Sequence, residues 1–564
     1  MAPEGFSTGT RARPCDYEVI VIGAGVCGIY QIYRLNQMGI RAAVVEAGGD
    51  VGGTWYWNRY PGARFDSESI TYGYSFSDEL LQEWNWSERF AGQPETERYL
   101  RYVVEKFDLR RHMQFNCRVL AAEYDEAGAA WSVRLSDGRT LTTRFLMTAI
   151  GLLSAPTKPR YDGLDRFEGQ SFHTYGGFTE PIDFSGKRVG IIGTGATGVQ
   201  IISTIAATVG DLTVFQRRPN WCAPLGNGPI EPAEMQEIKR SYKEVFEKCR
   251  STVSGFFHQA DPRKTFEVPR EERLALWEKL YNAPGFGIWL GNFRDILFDL
   301  DANAEISAFI ADKIRRRVKD PALAEKLIPK DHGFGMRRLP LETNYYEAYN
   351  RENVHLVDIG AAPIVEIYEK GIRTSERDYE FDVIIYATGF DAITGSFDKI
   401  DFVGRGGVHL RDKWADGPRT AYGLMTVGFP NLIMLAGPQS ASVATNFPRG
   451  IEEAVNWVSA MIAYVRQRGV DVVEPKQTTE DEWVEEVKYQ SGRVFFGQEK
   501  TWFTGYNSNL MRDSKNRYLV YFGGAIRYRE RLTGEVETGY SGFELAKWGQ
   551  ADAPAVIDNR GQTA

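Results

Sequence analysis

EVIVIGAGVCG, residues 18–28, joins a short β-rich apolar run to a Gly-x-Gly-x-x-Gly turn, and a helix-compatible stretch follows it. In a βαβ unit each glycine has its own task. Gly23 permits the tight turn, Gly25 lets backbone approach a pyrophosphate, and Gly28 lets the helix pack closely on the strand. The N-terminus of that helix offers unpaired N–H groups to phosphates. A second apolar run, AAVVE, ends at Glu46, where a carboxylate accepts hydrogen bonds from ribose hydroxyls.

RVGIIGTGATG, residues 188–198, repeats the plan with Gly193, Gly195 and Gly198. Its second run, LTVFQR, ends at Arg217, and Arg218 follows. A carboxylate there would repel a 2′-phosphate, whereas guanidinium pairs with one bidentately. The acid-ended first site therefore predicts FAD, and the basic-ended second site predicts NADPH, with hydride passing from nicotinamide to flavin. No Cys-x-x-Cys is present for a disulfide relay, so molecular oxygen is the leading acceptor of the flavin's electrons.

Both units close alike. WSVRLSDGRTLTTRFLMTAIG carries an Asp137-Gly138 hairpin signal and ends in Ala149-Ile150-Gly151. GIRTSERDYEFDVIIYATG ends in Ala387-Thr388-Gly389. Small residues at both strand ends suggest backbone close to a cofactor or crossing between domains. Between them, EMQEIKRSYKEVFEKC and ISAFIADKIRRRV place apolar residues at helical spacing. The aromatic run APGFGIWLGNFRDILF lies in the same region and is a candidate substrate wall.

Residues 1–155 and 390–545 are expected to form the FAD-binding domain, and 156–224 and 336–389 the NADPH-binding domain. Residues 225–335 are expected to form a mostly helical insertion, and 546–564 a disordered tail. The predicted fold class is α/β, with two Rossmann-like dinucleotide-binding domains.

A chain of 564 residues with 43% hydrophobic and 25% charged residues suits a globular protein of two or three domains. A net charge of −8 offers no basic face for a nucleic-acid backbone. Five scattered cysteines, with no metal-ligand or redox spacing, predict reduced thiols, no bound metal and a cytoplasmic location. Arg11 and Arg13 precede no apolar h-region, so no signal peptide is expected. The uncharged run Ala421–Pro448 is broken by Pro430 and Pro438 and reads as strands and loops, not a membrane span.

GGTWYWNRYPGARFDSES, residues 52–69, is too rich in Gly, Trp and Tyr for an ordinary loop. With it the chain resembles the type I Baeyer–Villiger monooxygenases over residues 15–545. The family pattern [A/G]-G-x-W-x(4)-[F/Y]-P-[G/M]-x(3)-D is met by Gly52, Gly53, Trp55, Tyr60, Pro61, Gly62 and Asp66. The family fingerprint F-x-G-x-x-x-H-T-x-x-W-[P/D] is met at Phe167, Gly169, His173 and Thr174, while Gly177 and Phe178 replace its last two residues.

The resemblance implies a flavin peroxide that attacks a ketone carbonyl, giving an ester or lactone. It implies that Arg338 stabilises negative charge and that Asp66 orients Arg338. Arg337 would help hold the NADPH phosphate, and Trp502 would contact NADP. The implied cofactor-binding set at the first site includes Gly23, Gly25, Gly28, Glu46, Thr54, Trp55, Tyr56, Trp57, Arg64, Phe65, Asp66, Tyr72 and Val119. At the second site it includes Gly193, Thr194, Gly195, Ala196, Thr197, Gly198, Gln200, Arg217 and Arg218. Val443, Ala444 and Phe447, in a loop over 437–450, would line the substrate site. His173 would order the linker, and Gly177 would loosen it. The implied partners are a hydrophobic ketone and O2; a flavin monooxygenase acting on S or N atoms, or a non-catalytic NADPH sensor, are the alternatives.

Overall fold

The computed structural model describes residues 15–510 and 515–547. Two sheets organise it. The first has eight strands. Seven run in the order Asp401–Val403, Val119–Asp125, Ala130–Leu135, Thr140–Thr148, Tyr17–Ile22, Ala42–Val45, Met113–Gln114, and Leu432–Met434 pairs with Thr140–Thr148. Tyr17–Ile22 is parallel to both neighbours. The three strands from Val119 to Thr148 pair antiparallel, with the Asp137-Gly138 turn between the last two. The second sheet is wholly parallel, in the order Val354–Asp358, Asp211–Gln216, Arg188–Ile192, Val383–Tyr386, Gln170–His173. Parallel strands are covered on both faces and so read as continuous apolar runs. Val19 to Ile22 and Val189 to Ile192 are accordingly buried throughout.

The small residues that close each unit press on its first glycine. Gly23 and Gly193 have φ of +106° and +112°. A β-carbon at Gly23 would lie 2.5 Å from the Ala149 carbonyl oxygen, and one at Gly193 would lie 2.4 Å from that of Ala387. The chain also crosses between the sheets here. Thr157 N–H donates to the Gly389 carbonyl at 2.9 Å, and Asp391 N–H donates to that of Ala155 at 2.8 Å.

Residues 225–335 include the helices Pro232–Ser251, Arg270–Tyr281, Leu300–Arg317 and Pro321–Leu327. Pro232 and Glu234 sit in the first turn of one, Lys248 and Arg250 in its last, matching the helix dipole. Asp299 caps another by accepting from the Asp301 and Ala302 N–H groups. Trp277, Phe293, Ile306 and Ile310 of this segment share one apolar core with Val189, Ile191 and Val214 of the second sheet. The segment, Phe286, Ile288 and Phe293 of its aromatic run included, is thereby seated against that sheet.

Three local expectations change. The linker stretch Gln170–His173 is itself an edge strand of the second sheet, parallel to Val383–Tyr386. Phe447, expected in a loop over 437–450, instead starts a helix that runs to Gln467, with Pro448 in its first turn. Ala546, placed in the tail, ends a strand paired with Val472–Pro475; residues 548–564 of that tail lie outside the described residues. Among the described residues no helix is long and apolar enough to cross a membrane.

Candidate active site

A cavity of about 1340 Å³ lies between the sheets and is lined from both. That exceeds the roughly 1,000 Å³ that bounds most single-ligand pockets. Two helices begin at its wall, Val26–Gln37 after Gly25 and Ala196–Ile205 after Gly195, and no side chain caps either N-terminus. Their first N–H groups are thus available to phosphate oxygens. A β-carbon at Gly195 would meet nothing within 4 Å, so the space beside this turn is open. Gly23, Gly193, Thr194, Ala196 and Thr197 line the same wall. Gly28 and Gly198 lie off the cavity, where a β-carbon would fall 1.8 and 2.2 Å from the Gly23 and Gly193 carbonyl oxygens. They set the approach of helix to strand.

Glu46 is 5% exposed and accepts from Ala24 N–H at 2.7 Å and Gly48 N–H at 2.6 Å. Burial raises its carboxyl above the ordinary value even so. It faces the cavity beside Val119. At the corresponding end of the second site stand Arg217, Arg218 and Arg337, all lining the cavity. Arg218 lies 3.6 Å and Arg337 3.1 Å from Asp331. Burial would raise the Asp331 carboxyl, but His332 and Arg337 outweigh it and hold it below its usual range. The residues present fit two dinucleotides: an acid-ended cradle on one sheet, and on the other a cradle ending in guanidinium groups suited to a phosphate.

The loop 52–66 serves both sheets. Thr54, Trp55, Trp57, Phe65 and Tyr72 line the cavity, and they also hold one another. Phe65 stacks on Tyr72 at 4.2 Å, and Trp55 donates to the Tyr72 hydroxyl at 2.7 Å. Tyr56 does not line the cavity; its hydroxyl accepts from Gly49 N–H at 3.0 Å. Arg64 donates to Glu88 at 3.0 Å and to the Phe90 carbonyl at 3.1 Å. Gln200, on the second-site helix, donates to the Arg64 carbonyl at 3.0 Å and accepts from the Tyr60 hydroxyl at 2.9 Å. At Gly62, with φ of +78°, a β-carbon would fall 2.1 Å from Thr204 Oγ1 of that helix. The glycine is therefore required by contact between the two halves.

Asp66 ends this loop, 4% exposed. Its Oδ2 accepts from Arg338 Nη1 at 2.7 Å, while its Oδ1 is buried without a partner. Arg338 is held from several sides. Asn220 donates to its carbonyl at 3.1 Å, and its guanidinium lies 5.7 Å from the Phe286 ring centre. Four residues on, the buried Glu342 is bound by Arg317 at 2.7 Å. A fixed cation thus stands in the cavity where the two nucleotide sites meet.

Val443, Ala444 and Phe447 line the cavity, as does Trp502, packed 4.0 Å from Phe503. Trp289 and Leu297 of the aromatic run pack against one apolar cluster together with Val443, Ala444 and Trp502, and Phe286, Leu290 and Phe293 of the same run also line the cavity. Residues without a sequence motif complete it, namely Phe256, His258, Phe496 and Phe522. The tight spacing of Phe256, Phe257 and His258 was the one local signal for part of this set.

The linker is pinned, not loosened. A β-carbon at Gly177 would fall 2.2 Å from the His173 carbonyl oxygen, so the chain turns back on itself too closely for a side chain. Aromatic rings stand on either side instead. Phe178 is buried and stacks on Phe172 at 5.1 Å. Tyr175 stacks on Trp57 at 5.5 Å and lines the cavity, and Gly176 N–H donates to the Trp57 carbonyl at 2.7 Å. His173 lies off the cavity; burial pushes its imidazole pKa down.

Residues 20–263 match the family described as pyridine nucleotide-disulphide oxidoreductase. The chain is 47% identical over 542 residues to 2-oxo-Δ3-4,5,5-trimethylcyclopentenylacetyl-CoA monooxygenase of Pseudomonas putida, covering 95% of this chain and 99% of that one. It is 40% identical to a Baeyer–Villiger monooxygenase of Pseudooceanicola batsensis, covering 94% and 97%. A crystal structure of OTEMO in complex with FAD and NADP superposes with a TM-score of 0.91 at 47% identity, over 95% of this chain and 100% of that one. At such identity over nearly the whole length, the chain belongs to the Baeyer–Villiger monooxygenases.

Proposed function

We propose that this monooxygenase converts hydrophobic ketones, whether cyclic, polycyclic or arylaliphatic, into esters or lactones with NADPH and O2. FAD lies along Gly23, Gly25 and Glu46, and NADPH along Gly193, Gly195 and Arg218. Residues 1–155 and 390–545 form the FAD-binding part, 156–224 and 336–389 the NADPH-binding part, and 225–335 the insertion. The hydrogen-bonded crossing at Thr157–Gly389 supports these boundaries. The observation that carries the reading is the Arg338–Asp66 pair at 2.7 Å, in a cavity shared by both nucleotide sites.

Bound FAD supplies hydride acceptance and oxygen activation. Arg338 supplies fixed positive charge where negative charge develops on oxygen, and Asp66 keeps it there. Trp289, Phe293, Phe496 and Phe503 give the substrate an apolar surface and exclude water. The name of the Pseudomonas putida relative is that of a cyclopentenyl ketone, which supports a cyclic substrate. The absence of any disulfide among the five cysteines, four of them buried, supports a cytoplasmic location.

The test is a ketone panel with NADPH consumption and product mass spectrometry. Ketone-stimulated NADPH use with ester or lactone formed is the expected result. NADPH loss yielding only hydrogen peroxide, or only sulfoxides and N-oxides from S and N substrates, would overturn it.

A further inference from the structure

The aromatic wall of the cavity contains a titratable pair that the reaction described above does not use. His258 lines the cavity, with its side chain 12% exposed. Its Nε2 lies 2.6 Å from Oε1 of Glu68, a carboxylate buried two residues beyond Asp66. The other oxygen of Glu68 is buried without a partner. We propose that Glu68 and His258 form a polar subsite that selects ketones carrying a hydroxyl group away from the carbonyl. The proposal rests on the ketone reading above.

Position is the first argument. Phe286 carries Arg338 against its ring. A β-carbon on its neighbour Gly285 would fall 2.2 Å from Glu68 Oε1, and one on Gly287 would fall 3.7 Å from His258 Nδ1. The pair thus borders the same aromatic platform as the catalytic guanidinium. A substrate resting on Phe286 with its carbonyl toward Arg338 has its far side toward His258.

Chemistry is the second. Where Nε2–H of the neutral ring donates to Glu68, the Nδ1 lone pair is left as an acceptor. Among the described residues none donates to that nitrogen. A hydroxyl O–H is the matching partner. Apolar walls give little discrimination between similar substrates, while a buried hydrogen-bonding group discriminates strongly against an analogue that leaves it unpaired. A few placed polar groups in an apolar pocket are what fixes ligand orientation.

The experiment uses the holoenzyme, with FAD and NADP⁺ bound, and two matched pairs of ketones. These are cyclohexanone against 4-hydroxycyclohexanone, and acetophenone against 4-hydroxyacetophenone. Dissociation constants come from titration of the flavin absorption spectrum. The expected result is that at least one hydroxylated member binds about tenfold tighter than its parent. His258→Phe should bring that ratio to one, and Glu68→Gln, which releases the tautomer, should narrow it. A residue that merely ties two segments together would shift both members of a pair alike. Equal affinity within both pairs for the wild type, no binding included, would overturn the proposal, as would a ratio that survives His258→Phe. Because binding is read without turnover, failure to form ester from any ketone would refute the ketone reading separately.

Discussion

Arg338 Nη1 donates to Asp66 Oδ2 at 2.7 Å across 272 residues of sequence. The two side chains come from different motifs, and the bond joins them at the wall shared by both nucleotide sites. The carboxylate is nearly fully buried, and the guanidinium is about one-third exposed, with side-chain exposures of 3% and 34%. Asp66 is thus the more deeply buried partner, and in the proposed reaction it anchors Arg338, the working group.

That division of labour predicts different losses. Arg338→Ala should leave flavin reduction by NADPH intact and abolish ester formation. Asp66→Asn keeps the shape but removes the charge that holds Arg338. It should lower ester formation by about 10²- to 10³-fold, the range seen when one preorganised donor is lost. Stopped-flow absorbance separates the steps. Ester formation at the wild-type rate by Arg338→Ala would remove the assigned role.

Arg218 and Arg337 share Asp331 at 3.6 and 3.1 Å, Arg337 also lies 3.4 Å from Glu499, and Arg217 donates to the neutral Asn509 at 3.2 Å, so three guanidinium groups face two carboxylates and leave net positive charge. A 2′-phosphate is the anion that this excess suits. Arg218→Ala and Arg337→Ala should each raise KM for NADPH by about tenfold, the loss of one charge-assisted contact, with little change for NADH. Steady-state kinetics with both nucleotides check this. An equal rise for both would mean that the arginines support the fold, not the phosphate.

The two nucleotide sites were legible because their chemistry is local. Gly23, Gly25, Gly28 and Glu46 lie within one βαβ unit, where spacing alone states the geometry. Arg338 and Asp66 came through family resemblance, since nothing in their own neighbourhoods announces a contact across 272 residues. Phe496 and Phe522 were not legible, because lining a cavity from separate segments leaves no periodic trace. Tyr56 was read with its neighbours, yet it turns away to Gly49. A short helical turn over Thr54–Trp57 sends successive side chains to different faces.

His173 gives a pH prediction. Burial lowers its pKa in the folded protein, so the folded state disfavours the imidazolium. The associated stability is fully present above the unfolded value of about 6.5 and is lost as pH falls through the folded one. Melting temperature should therefore decline from about pH 6.5 downward. His173→Gln keeps an acceptor for Tyr175 N–H, a bond of 3.1 Å, but cannot take the proton. Its decline should be shallower, and an unchanged slope between the two proteins would exclude His173 as the cause.

Gly177 is the position where the chain departs from the family fingerprint, and a side chain there meets backbone, not a movable side chain. Its β-carbon would lie 2.2 Å from His173 O and 3.1 Å from His173 N. His173 is held in turn by strand pairing with Tyr386. Relief requires moving the turn that carries Tyr175 onto Trp57. Gly177→Ala should therefore cost about 1–3 kcal/mol, the range for forced overpacking, and Gly177→Trp should not improve the enzyme despite restoring the fingerprint residue. Tyr175→Ala leaves the turn intact and removes only the stacked ring, so it should cost less stability than Gly177→Ala. Denaturant unfolding of the three variants, with hydrogen peroxide release as the measure of uncoupling, tests the ordering. A Gly177→Trp protein as stable and as well coupled as the wild type would show that the turn can open, and the departure at this position would then be neutral.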